Sequence, residues 1–151
     1  MKVLVIASNN QKKRSEIAAI LKNIGIRIIP SDETVFVEVE EDGKTFAQNA
    51  KKKAEAFAEA NHCAALGDDS GLCVDALNGA PGVYSSRFVG IDADDSTNNA
   101  RLLRELDGIA NRKAHFVCSI HVTCPNGPCI TAEGRVDGEI LKQPDGAGGF
   151  G

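Results

Sequence analysis

No apolar run in this chain is long enough to cross a bilayer, which excludes a helical membrane anchor within it. The opening KVLVIA lacks the basic region, long apolar core and small-residue cleavage site of a secretory signal. The expectation is a cytoplasmic protein with no membrane partner. Basic residues are not in excess either: 17 Lys and Arg against 21 Asp and Glu leave a formal charge of -4. That balance excludes a broad basic face gripping a nucleic-acid backbone, while small phosphorylated ligands remain open. There is no CxxC pair. The five cysteines, Cys63, Cys73, Cys118, Cys124 and Cys129, are odd in number and sit mostly in apolar segments, as buried thiols in a reducing compartment do. Repeats, low-complexity tracts and linker-like stretches are absent, and 42% hydrophobic with 25% charged residues suits one globular domain over residues 1–151.

What is present centres on Leu66 to Arg87, LGDDSGLCVDALNGAPGVYSSR. Two adjacent carboxylates, Asp68 and Asp69, end an apolar run and are followed by Ser70 and Gly71. Magnesium takes oxygen ligands and keeps waters and substrate phosphates in its remaining positions, so such a pair suits it. The alternative is a solvated Asp-Asp-Ser-Gly turn.

The flanking segments read in order. Lys2 to Ala7 is a short buried strand, and Ser8-Asn9-Asn10 leads into a helix over Gln11 to Ile24. Its inward face is expected to be Ile17, Ile20, Leu21 and Ile24, with Lys12, Lys13, Arg14 and Glu16 outward and Gly25 as C-cap. A strand ending at a helix start directs free N–H groups and a positive dipole end at whatever lies above it, which makes an anion site that Lys13 can reach. Plain N-capping by Asn is the alternative.

Ile26 to Ile29 and Thr34 to Val39 read as further strands. The acidic run Glu38, Glu40, Glu41 and Asp42 offers another metal contact or a solvated strand end. Thr45 to Asn61 is a helix with Thr45 and Gln48 at capping-box spacing and a small-residue face of Ala50, Ala54, Phe57 and Ala58. One of Lys51, Lys52 and Lys53 should turn inward. Asp94 to Leu106 is a third helix, capped by Asp94 or Ser96, with Leu102, Leu103 and Leu106 inward. Lys113 to Cys124 is the longest strand, with Phe116, Cys118, Ile120, Val122 and Cys124 on one face and His115, Ser119, His121 and Thr123 on the other, and Pro-Asn-Gly-Pro turns it into Cys129 to Val136. Arg87 can clamp a phosphate or pair with a nearby aspartate.

Two motif readings are set aside. His121, Cys124 and Cys129 match no structural zinc spacing and lack a fourth ligand. The GxGxxG at Gly146 to Gly151 follows no strand and opens no helix, unlike a dinucleotide fingerprint.

SNNxxK at Ser8 to Lys13, TFxxNAxxKA at Thr45 to Ala54, DDSGLxVDALxGxPGVYSxR at Asp68 to Arg87 and GxGGFG at Gly146 to Gly151 together resemble the Ham1-like inosine/xanthosine triphosphate pyrophosphatases. The resemblance spans the chain in order. It implies an elongated two-lobed α/β fold of the anticodon-binding-domain-like superfamily, a mixed sheet with flanking helices around a nucleotide cleft, usually as a homodimer. It further implies Mg2+-dependent hydrolysis of non-canonical purine triphosphates (ITP, dITP, XTP) to the monophosphate and pyrophosphate. By that resemblance Ser8, Asn9, Asn10, Gln11, Lys12 and Lys13 bind the triphosphate, Asp69 is general base and metal ligand, Ser70 touches substrate, Phe150 and Gly151 begin the loop facing the base, and Glu38 or Glu41 adds a metal contact. Gln48 departs from the family's common glutamate. The family's Tyr-Asp-Pro segment and Ser-His-Arg motif, which follow its GFG, do not occur here, so weakened base recognition and an exposed apolar surface are expected. A Maf-like pyrophosphatase of other base preference, and a nucleotide-binding protein without activity, are the alternatives.

Overall fold

In a computed structural model, residues 2–90 and 94–146 are described. The expectations for Phe150, Gly151 and the GxGGFG tail beyond Gly146 lie outside them. The elements are β1 (Val3–Ala7), α1 (Gln11–Leu21), β2 (Arg27–Ile28), α2 (Phe46–Asn61), β3 (Ala64–Val74), α3 (Asp95–Glu105), β4 (Lys113–Thr123) and β5 (Cys129–Glu139), with short 3-10 turns at Ser31–Glu33, Asp75–Leu77 and Gly82–Arg87. The five strands form one mixed α/β sheet in the order β2-β1-β3-β4-β5. β1 runs parallel to both β2 and β3, with Ala7 opposite Gly67. The short link 124–128 can only return the chain antiparallel, so β4 and β5 are a hairpin. Among the described residues no helix is long and apolar enough to cross a membrane.

The chain forms two compact units, Met1–Asp69 with Ser119–Glu133 and Ser70–Cys118 with Gly134–Gly151. In the first, Val5, Ala7, Phe57, Ala58 and Ala65 make a core against which Ile29, Val37, Val39 and Cys63 pack. In the second, Val74, Leu102, Leu106 and Ala114 do so, with Leu72, Leu77, Phe88 and Ile140 around them.

Within the first unit, the chain leaves β1 toward β2 and then crosses back past β1 to β3. Right-handed crossovers in opposite directions put α1 and α2 on opposite faces of these strands. The side chains obey this. Odd-numbered Val5, Ala7 and Ala65 pack with Phe57 and Ala58 of α2, and Gly67 lies so close to α2 that a Cβ there would be 2.2 Å from the Ala50 carbonyl oxygen.

α2 forms as its sequence dictates: Thr45 Oγ1 accepts from Gln48 N–H, and the Gln48 side chain accepts from Lys44 N–H at 2.8 Å. Gln48 is thus a capping residue. Ala50, Ala54, Phe57 and Ala58 are buried as the spacing requires, and Lys53 turns inward while Lys51 and Lys52 stay exposed. α3 is capped by Asp94, with Leu102 and Leu106 buried.

Three expectations are corrected and one alternative is ruled out. Thr34 to Val39 is not a strand, because side chains take the place of a strand neighbour: Asn61 bonds both the N–H and the carbonyl of Val35 (2.8 and 2.9 Å), and Asn9 donates to the Val37 carbonyl (3.4 Å). α1 ends at Leu21, and its inward residue is Arg14, whereas Ile20 and Ile24 are exposed. Arg14 spends its guanidinium on the carbonyl of Ile6 (2.7 Å), that of Ile29 and the Thr34 hydroxyl, and stacks over Phe36. On β4 it is the polar side that is buried at Ser119 and His121, while Phe116 is exposed; Ser119 donates to Glu133 Oε2 at 2.8 Å. Finally, Asp68-Asp69-Ser70-Gly71 is no turn, for β3 runs straight through it.

Candidate active site at the carboxyl end of the parallel strands

β3 outlasts its neighbour. β1 stops at Ala7 beside Gly67, so Asp68 and Asp69 extend past the end of the parallel pair. The crossovers leave β1 in opposite directions here, and α/β sheets bind ligands at that switch point, outside the carboxyl ends of the strands.

Strand alternation then separates the two carboxylates. Asp68 faces α1, where Lys13 Nζ donates to its Oδ2 at 2.9 Å. Asp69 faces α2, where Asn49 Nδ2 donates to its Oδ2 at 2.9 Å. Both aspartates and Asn49 are buried. One turn along α2 from Asn49, Lys53 pairs with Glu41 at 3.0 Å. Burial pushes the Asp69 carboxyl above its ordinary range; the Asn49 bond and the Lys53 and Lys13 charges pull it down, and Glu41 pushes it up. For Lys13, burial lowers the ammonium, but Asp68, as charge and as hydrogen-bond acceptor, outweighs it with help from Asp69 and Glu41, so the net direction is up. Lys13 is therefore a firmly charged cation, and Asp69 a carboxylate of raised basicity.

The loop before α1 is arranged around its cap. Asn10 Oδ1 accepts from the N–H groups of Lys12 (2.9 Å) and Lys13 (3.2 Å), and Ser8 Oγ accepts from Asn10 N–H at 3.1 Å. The capping reading thus describes Asn10, yet Lys13 is not a surface lysine. Lys12 and Gln11 are exposed, with Gln11 Oε1 accepting from Ser31. Asn9 is exposed and reaches Val37. Of the acidic run, Glu41 is the member whose charge bears on Asp69 and Lys13, while Glu38 is exposed. Ser70 follows on β3, half-buried. Arg87 stacks on Tyr84, its guanidinium carbon 5.3 Å from the ring centre.

The donor set suits a hard cation. Asp68 Oδ1 is buried with no hydrogen-bond partner among the described residues, an arrangement that costs free energy until something satisfies it. The carboxylates whose charges all act on Lys13 are Asp68, Asp69 and Glu41. Among the described residues no three or more His, Cys, Asp or Glu converge as a ready-made metal cage; a hard cation that shares its shell with substrate phosphates needs only one or two carboxylates from the protein.

Asn49 and Lys53 stand in the TFxxNAxxKA motif and one lysine is expected inward, but the sequence reading gives Asn49 no role and does not foresee the pairing of Lys53 with Glu41. Their signal was available: Asn49 and Lys53 are four residues apart on the same side of a helix as Ala50, Ala54 and Phe57, and so had to be carried inward with that face.

The profile of the Ham1 family matches residues 4–151. The dITP/XTP pyrophosphatase of Desulforamulus reducens is 53% identical over 151 residues, covering 98% of this chain and 75% of that protein. The dITP/XTP pyrophosphatase of Geobacter sulfurreducens is 49% identical over 151 residues, covering 98% and 76%. A solved structure of a HAM1 protein from Coxiella burnetii matches at a TM-score of 0.90 and 37% identity, over 100% of this chain and 79% of that one. A profile match along nearly the whole chain, relatives of this identity and a shared fold lead to one conclusion: the chain belongs to the Ham1 family.

Proposed function

We propose that the chain is a nucleoside triphosphate pyrophosphohydrolase that takes non-canonical purine triphosphates (ITP, dITP, XTP), cuts between the α and β phosphates and releases the monophosphate and pyrophosphate. The names of its relatives support the substrate class. The observation that carries the chemistry is that, beyond the end of β1, Lys13 is bonded to Asp68 while the next residue of β3, the buried Asp69, is held by Asn49 within reach of the Lys13 charge.

In this reading Asp69 is the general base. A water attacking the α phosphorus must lose its proton, and a carboxylate of raised basicity accepts it better than an ordinary one. The Asn49 bond holds one Asp69 oxygen as an acceptor while the proton is taken. Lys13 neutralises charge on the pyrophosphate leaving group, exchanging its bond to Asp68 for one to a phosphate oxygen. Ser8, Asn9, Asn10, Gln11 and Lys12 bind the phosphates, Ser70 touches substrate, and Phe150 and Gly151 are assigned to the base. Mg2+ is held by Asp69 and by Glu38 or Glu41, with the charge on Asp69 favouring Glu41; when bound, it neutralises phosphate oxygens in the transition state. The protein works in the cytoplasm as a homodimer of one-domain subunits.

The test is pyrophosphate release over a panel of purine and pyrimidine triphosphates, with and without magnesium, using Asp69→Asn as control. Magnesium-dependent release from ITP, dITP and XTP that Asp69→Asn abolishes is the expected result. Pyrimidine preference, or silence on every triphosphate, overturns the reading.

A further inference from the structure

Asn49 has no part in the motif roles given above, yet it is fully buried beside Asp69. Its two ends are engaged differently. Oδ1 accepts from the Gly43 backbone N–H at 2.8 Å, and Nδ2 donates to Asp69 Oδ2 at 2.9 Å. A backbone N–H can only donate, so the amide oxygen is fixed toward Gly43 and the NH2 is thereby the end presented to Asp69. The approach is close enough to demand glycine: a Cβ on Gly43 would lie 2.4 Å from Asn49 Oδ1. Glu41, two residues before Gly43, is in turn held by Lys53, four residues after Asn49. One buried amide thus ties together α2, the segment carrying Glu41 and the strand carrying Asp69. Burying such a group is favourable only when its bonds are made, and here one runs to Asp69 and the other to the backbone two residues after Glu41.

We propose that Asn49 is a positioning residue for phosphoanhydride hydrolysis: locked by Gly43, it orients the Asp69 carboxylate and keeps the Glu41 segment against it. This rests on Asp69 being the base, as proposed above. Groups that orient a metal-bound or catalytic carboxylate change activity by about ten- to hundredfold when lost, and a purely positional loss falls on kcat while leaving substrate binding in place.

Two variants separate the bonds. Asn49→Asp keeps the acceptor for Gly43 but turns an oxygen toward Asp69, whereas Asn49→Leu removes both bonds. With ITP and magnesium, both are expected to lower kcat by about ten- to hundredfold with KM within about twofold of wild type. A readout without substrate accompanies the kinetics: in the 15N spectrum of the nucleotide-free protein, the Asn49 side-chain NH2 signals are expected to move in Asp69→Ala, and the Gly43 amide signal to move in Asn49→Leu. Wild-type kcat in Asn49→Asp overturns the proposal. So does a KM rise that accounts for the whole loss, or Asn49 signals indifferent to Asp69. If neither Asn49 variant folds, Gly43→Ala takes their place, since it displaces the amide without removing it; unchanged kcat there also overturns the claim. Should the wild type release no pyrophosphate from any triphosphate, the proposed activity falls and the spectra alone decide the role of Asn49.

Discussion

Lys13 of α1 and Asp68 of β3 form an ion pair at 2.9 Å, with side chains only 19% and 7% exposed. Fifty-five residues separate them in sequence, and β3 must lie beside β1 for them to meet. Removing one partner of a buried pair strands the other charge at a cost of about 3–5 kcal/mol, and Asp68 already has one unsatisfied oxygen. Lys13→Met is therefore expected to lower stability by an amount in that range. The double variant Lys13→Met/Asp68→Asn should recover much of it without recovering activity. Urea unfolding of the four members of the cycle measures this, and additive losses would refute the coupling.

Asp69 predicts a conflict between stability and function. Its carboxyl is raised by burial, so the native state holds that proton more tightly than the unfolded chain. The ionised group consequently costs stability at every pH above the unfolded carboxyl range near pH 4. Asp69→Asn, in a metal chelator, is expected to melt at a higher temperature than wild type at pH 7 while releasing no pyrophosphate. The gain should shrink as the pH falls through 4 and vanish below it, where the wild-type carboxyl is protonated in both states. A lower melting temperature at pH 7 would contradict the argument.

Gly67 sets how closely α2 approaches the sheet. A Cβ there would meet the Ala50 carbonyl oxygen at 2.2 Å and the Ala54 nitrogen at 2.7 Å, both backbone atoms that no side-chain rotation can move. Gly67→Ala must push the helix, and with it Asn49 and Lys53, away from Asp69. Overpacking of this kind costs about 1–3 kcal/mol, and activity is expected to fall further than stability. A variant with wild-type turnover and melting temperature would show that the packing is looser than the distances imply.

Local signals were readable where one residue governs its own neighbourhood. The Thr45 and Asn10 caps, the alanine face of α2 and the buried leucines of α3 all follow from spacing. Reading failed where a distant partner decides. Asp68-Asp69-Ser70-Gly71 has turn composition, but β3 runs on through it past the end of β1, with β4 as its other neighbour in the sheet. Arg14 is drawn inward by carbonyls of Ile6 and Ile29 that the helix period does not reveal, and Thr34 to Val39 has strand composition but bonds to Asn61 and Asn9. At the site, the residue types of Lys13 and Asp69 suggested their chemistry, whereas the partition of Asp68 to α1 and Asp69 to α2 required the strand register.

Lys53 and Glu41 act on Asp69 with opposite signs, which yields a paired prediction. Their own ion pair, at 3.0 Å, is partly exposed on the Glu41 side, so breaking it costs less stability than breaking Lys13 from Asp68. Lys53 lowers the Asp69 carboxyl and Glu41 raises it. A base works only when deprotonated, and the acid limb of the kcat/KM profile reports its titration in the free enzyme. Lys53→Met should therefore move that limb to higher pH, and Glu41→Gln should move it to lower pH, whatever each does to the maximal rate. Measuring pyrophosphate release from ITP across the acid range, with magnesium saturating for each variant, gives both displacements. Shifts in the same direction would mean that Asp69 is not the group being titrated.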